Sequence, residues 1–165
     1  MRQKWILAVV LALALGLIAQ ASSAGSGPNS TVLKFKTMAG VVAPYLGPAN
    51  AIRGIPGAGS AWSIDKADGT LKENGDLKVN VKGLIITATG TNPVPTFRAV
   101  VSCLSTADGA AVTVNRVTAP FPATTTGDAK FKGNVDLPSP CIAPIVFVTN
   151  GTGDPPGGWF SVTGA

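Results

Sequence analysis

The chain has 165 residues, a formal net charge of +5, 45% hydrophobic and only 13% charged residues, and no histidine. That length suits one ordinary domain, and so small an excess of positive charge is not the footprint of a nucleic-acid-binding protein. The missing histidine excludes Ser-His-Asp and Cys-His nucleophile systems, histidine general bases and the usual zinc or copper sites.

At the amino terminus Arg2 and Lys4 supply positive charge, residues 5–18 form an uncharged apolar run, and Ala19-Gln20-Ala21 fits the small-x-small pattern. This order predicts a secretory signal peptide over residues 1–24, cut after Ala21 or after Ala24. The run is shorter than the roughly 20 apolar residues of a spanning helix. No second run follows it, so membrane contact is expected only during export, and the mature chain is expected to be secreted and extracellular. Cleavage leaves roughly 140 residues, enough for a real core, and removes two of the thirteen basic residues. Only two cysteines remain, and in an exported protein an even pair predicts a disulfide between Cys103 and Cys141, with two buried free thiols as the alternative.

After a flexible lead-in over 25–30, residues 31–37 (TVLKFKT) alternate as a strand, with Val32 or Leu33 competing with Phe35 for the inner face. Residues 40–59, rich in proline and glycine, read as a long loop packed on the core. Residues 59–65 (GSAWSID) read as a strand, 66–69 (KADG) as a turn on its Asp-Gly signal, and Asn74-Gly75 as another turn. Leu77, Val79 and Val81 then alternate with Lys78, Asn80 and Lys82, the cleanest half-buried strand in the chain. Strand character follows over 84–87.

Asn92-Pro93-Val94-Pro95 is a linker, 97–104 (FRAVVSCL) a central strand, and 111–117 a strand after an Asp108-Gly109 turn. Residues 119–123 read as a proline-broken turn. Ala129, Phe131, Val135 and Leu137 form one side of a strand whose other side is Lys130, Lys132, Asn134 and Asp136. A buried strand at 145–149 and a last one at 159–162 complete the series, with Asp154 to Gly158 as the turn between them. Eight to ten short strands at this spacing predict an all-β, single-domain antiparallel β-sandwich over 31–165, with a small β-barrel as the alternative.

Three constellations carry possible chemistry. Asp65, Asp68, Glu73 and Asp76 form the densest acidic group; turn formation explains them most simply, while a calcium ion or a glycosidase-type carboxylate pair would use the same residues. Lys34, Lys36, Lys78, Lys82, Lys130 and Lys132 fall on the polar sides of alternating strands. If those strands are neighbours, they form one basic face suited to an anionic polymer, although lysine also protects strand edges. Trp62 and Trp159 alternate as core residues do. The string Ser63-x-x-Lys66 and the glycine-rich stretch 54–59 lack the helix that acyl-enzyme or phosphate-binding chemistry requires. No cofactor motif occurs.

Phe97-Arg98-Ala99-Val100-Val101-Ser102-Cys103-Leu104, the segment 136–148 (DLPSPCIAPIVFV) and Gly158-Trp159-Phe160 resemble segments of small exported bacterial proteins of unknown function. That resemblance implies no activity. Residues 59–84 are also similar to the CHRD domain, an extracellular β module. Its pattern includes a histidine-bearing motif absent here, so no metal role of that kind carries over. The reading that follows is a secreted, non-catalytic module that binds an anionic surface polymer or a protein partner. A small hydrolase using the carboxylates, or a purely structural secreted protein, are the rivals.

Overall fold

The structure, a computed structural model, describes residues 29–153 and 157–163. The expected signal peptide, both expected cut positions, residues 25–28 and Asp154-Pro155-Pro156 lie outside them. The described residues contain, in chain order, β1 (Thr31–Phe35), β2 (Met38–Gly40), β3 (Trp62–Ser63), β4 (Lys66–Lys72), β5 (Asp76–Lys82), β6 (Ile85–Ile86), β7 (Thr96–Ala107), β8 (Ala110–Val117), β9 (Phe121–Pro122), β10 (Ala129–Asn134), β11 (Ile142–Asn150) and β12 (Trp159–Thr163). All named strand pairs are antiparallel.

Alternation of apolar and polar residues builds a four-stranded sheet in the order β1-β4-β5-β10. In β5 the side chains of Leu77, Val79 and Val81 are buried and those between them face out. In β1 the inner face goes to Leu33 and Phe35, leaving Val32 exposed. Residues 66–69 are not a turn. β4 runs straight through Asp68-Gly69, because Ala67, Gly69 and Leu71 alternate inward. Gly69 faces Phe35 across the sheet, and a Cβ there would strike the Phe35 ring and the Lys78 carbonyl. This glycine therefore serves close packing under an aromatic ring. The reversal comes later, at Glu73-Asn74-Gly75, where Gly75 takes a positive φ of 85° that glycine adopts without steric cost.

The second sheet has six strands, ordered β2-β12-β11-β7-β8, with β9 also pairing with β7. β7 lies at its centre, as the continuous apolar run predicts, and is longer than that run. It returns into β8 through Asp108 (φ 50°) and Gly109 (φ 79°), two consecutive left-handed residues that match the twist of a hairpin. Residues 119–123, expected as a turn, hold the short strand β9. Phe121 pairs with Phe97 and is buried against it edge-on at 6.5 Å, and that burial draws the backbone into register. Pro122 is tolerated because the strand is only two residues long. The expected strand over 59–65 shrinks to β3, which pairs with β6 as a separate ribbon.

The two larger sheets contribute to a single apolar cluster: Phe35, Leu71, Leu77, Val79 and Val81 from one, Phe97, Ala99, Val101, Val146 and Val148 from the other. Neither sheet closes on itself, so the sandwich expectation holds and the barrel alternative does not. The segment 41–59 covers the opposite face of the six-stranded sheet. Arg53 donates from Nη1 to the Ser102 carbonyl (2.9 Å) and from Nη2 to the Ala143 carbonyl (2.8 Å), and Asn115 Nδ2 donates to the Arg53 carbonyl (3.1 Å). Gly57 bridges to Trp159, whose ring lies 6.4 Å from Tyr45 and 6.1 Å from Phe147. Trp62 stacks on Phe160 at 3.9 Å. Both tryptophans are buried and belong to the core.

Cys103 and Cys141 are joined, with Cα atoms 5.0 Å apart and a sequence separation of 38. The bond ties β7 to the start of β11, two strands already paired from Leu104↔Ile142 onward. Closing a loop of that length stabilises by ~4 kcal/mol in the chain-entropy model. The Cys103→Ala/Cys141→Ala double variant is therefore expected to lose most of that amount in urea unfolding. An unchanged midpoint would show that the bond adds nothing to the paired strands.

Candidate functional site

The outer face of the four-stranded sheet concentrates the lysines. Strict alternation turns Asp76, Lys78, Asn80 and Lys82 of β5 away from the core, and β10 does the same with Lys130, Lys132 and Asn134. Register then aligns residues from separate parts of the chain. Lys34 faces Thr70, Thr70 faces Lys78, and Lys78 faces Lys132, so one row crosses all four strands. The next row is Asp68, Asn80 and Lys130, and beyond it Lys66 faces Lys82.

Every lysine among the described residues stands on these strands, except Lys36, which is exposed one position beyond β1. Five of the six lysines expected from the sequence, Lys34, Lys78, Lys82, Lys130 and Lys132, are thus brought to one sheet, and Lys36 lies just past its edge strand. Lys66 and Lys72 join them and were missed, because the Asp-Gly signal hid β4. The alternation of Ala67, Gly69 and Leu71 with Lys66, Asp68, Thr70 and Lys72 was the signal that could have found them.

Two of these alignments oppose like charges directly, Lys78 with Lys132 and Lys66 with Lys82. Such cross-strand pairs destabilise a sheet. The two carboxylates within the face are engaged by amide side chains. Asn80 Nδ2 donates to Asp68 Oδ1 at 2.8 Å. Asp76 accepts from Asn74 Nδ2 at 3.1 Å and from Asn134 Nδ2 at 3.3 Å, while its own N–H donates to Asn74 Oδ1 at 3.0 Å. The Asn74 hydrogen bond, then that of Asn134, with Lys72 and Lys132 nearby, hold the Asp76 carboxyl below the ordinary value of 3.8. Two shallow depressions score the face. One of 550 Å³ is lined by Thr70, Lys72, Asp76, Lys78, Lys132 and Asn134, and one of 380 Å³ by Asp68, Lys78, Asn80, Lys130 and Lys132. Lys78 and Lys132 line both.

The acidic group does not converge. Asp68 faces Asn80 and Asp76 faces Asn134, so the two aspartates are separated by four residues along β5, about 13 Å at the rise of a strand. Glycosidase pairs need roughly 5–10 Å. Asp65 and Glu73 lie at opposite ends of β4. Among the described residues no three side chains of the Asp, Glu, Cys or His types are placed to hold a metal ion. Asp65 instead packs against Gly83, whose N–H donates to Asp128 Oδ1 at 3.0 Å. Ser63 and Lys66 fall on different strands in a described region that has no helix.

Comparison with known proteins finds no matching family model, no match among curated proteins and none among solved structures. Among the described residues no helix is long and apolar enough to cross a membrane.

The lowered value of Asp76 has a definite sign. A carboxyl whose folded value lies below its unfolded one stabilises the fold above the unfolded value, and that contribution fades as pH falls through the folded value. Asp76→Asn is therefore expected to melt below the parent at neutral pH. The gap should close on acidification below the ordinary value of 3.8. Thermal melts across pH check this; a pH-independent gap would place the effect elsewhere.

Proposed function

We propose that this chain is an exported β-sandwich module that holds an anionic polymer of the cell envelope or its surroundings across the outer face of the four-stranded sheet. The observation that carries the reading is the row Lys34, Thr70, Lys78 and Lys132, flanked by Lys130, Lys72, Lys66 and Lys82. A face that opposes lysine to lysine spends stability, and an anion lying along it relieves that repulsion. The basic, apolar and small-residue order of the amino terminus supports export. The disulfide fits an oxidising compartment. An acidic polysaccharide suits the face better than a small ligand, because the depressions are shallow and the charge is spread over four strands rather than focused in a cleft.

Heparin serves as the probe for polyanion binding. The mature protein is expected to elute above physiological salt, and the Lys78→Gln/Lys132→Gln variant well below it, with its fold intact by circular dichroism. Elution of the parent below physiological salt would end the reading and leave a structural protein.

Relief of the like-charge repulsion is expected to raise stability while weakening binding. Lys132→Glu replaces a repulsive pair with an attractive one, a change of ~0.2–1 kcal/mol for a cross-strand pair. This variant is expected to melt higher than the parent without polymer, yet to bind heparin more weakly.

A further inference from the structure

The six-stranded sheet ends on β8, and this edge is built unlike the others. β8 pairs with β7 over eight consecutive positions, from Ala107↔Ala110 to Val100↔Val117, without a bulge. Its residues, AAVTVNRV, include neither lysine nor proline and are largely exposed. The remaining sheet ends carry the protection usual for edges. β1 has a register break between Thr31 and Leu33 and carries Lys34, β10 carries Lys130 and Lys132, and β2 is three residues long.

The phase of the free edge follows from one bond. Thr118 N donates to the Ala99 carbonyl at 2.9 Å, just past the end of β8. Antiparallel ladders alternate hydrogen-bonded and non-bonded pairs. Ala110, Val112, Val114 and Arg116 therefore turn their N–H and C=O groups to β7, while Ala111, Thr113, Asn115 and Val117 turn theirs outward. Among the described residues no segment pairs with that outward side.

We propose that the β8 edge pairs antiparallel with the same edge of a second copy of the chain, about a two-fold axis through Thr113. An isologous contact must be self-complementary, and this strand meets the condition in both hydrogen bonding and charge. With Thr113 opposite its own copy, Ala111 faces Asn115, and the outward donors and acceptors of Ala111, Thr113 and Asn115 meet one another. The single charge of β8, Arg116, then stands opposite an alanine, so no like charges meet across the axis, and its Nε donates to the Asp136 carbonyl of its own chain at 2.8 Å. β8 lies in the sheet without lysines, so the pairing is independent of polymer binding.

The test is the mass in solution of the mature, oxidised protein and of Thr113→Pro. Proline at 113 removes an outward N–H and leaves the β7 ladder untouched, and edge strands accept it. A parent of twice the monomer mass at high micromolar concentration, with Thr113→Pro at the monomer mass and with near-parental melting, is the expected result. Should that variant misfold, Thr113→Lys replaces it, since an edge lysine opposes pairing without altering the backbone. A monomeric parent at that concentration overturns the proposal. So does a dimer that survives whichever variant folds, since it would then use another surface.

Discussion

Strand β7 is the element on which the rest of the molecule depends. It pairs with β11 on one side and with β8 and β9 on the other. Both of its faces are covered: Phe97, Ala99, Val101 and Cys103 look into the sandwich, while Val100 and Ser102 are buried on the side where Arg53 binds. A strand enclosed in this way has no polar face to spare, which is why its sequence is a continuous apolar run. The covalent link from Cys103 to Cys141 then holds β11 in place along a pairing that extends to Asn150↔Phe97. Arg53 and Asn115 also tie the segment 41–59 to β7 and β8, beside its backbone bonds to β12.

The other sheet is arranged for its surface. Its inner face is a plain apolar layer, and its outer face collects the lysines of four separate segments. The energetics of that face are unfavourable in the free protein, where Lys78 opposes Lys132 and Lys66 opposes Lys82. Its two carboxylates are held by amide side chains, Asp68 by Asn80 and Asp76 by Asn74 and Asn134, and Lys72 and Lys132 attract Asp76. The two sheets therefore differ: one encloses a doubly covered strand, the other turns a lysine-rich face outward.

Legibility in the sequence followed the locality of the signal. β5 was plain because Leu77, Val79 and Val81 alternate over a single half-buried strand. The Asp108-Gly109 hairpin was plain because both residues adopt the left-handed conformations that this pair favours. The same dipeptide misled at Asp68-Gly69, where the glycine makes room for the Phe35 ring on a neighbouring strand. β9 was hidden for a similar reason. Two residues with a proline carry no periodicity, and only the burial of Phe121 against Phe97 makes them a strand.

The amino-acid order alone determined the all-strand class, the inward and outward sides of β5 and β10, and the partner choice of the two cysteines, because each rests on a period of two or on a count. Which strands became neighbours was decided only in three dimensions. Lys34, Lys78 and Lys132 are far apart along the chain, and nothing local aligns them; the shared core beneath β1, β4, β5 and β10 sets their register. The scattering of Asp65, Asp68, Glu73 and Asp76 has the same origin. Residues close in sequence are drawn apart when a strand extends by about 3.3 Å per residue, and residues distant in sequence meet when a sheet buries one side of each.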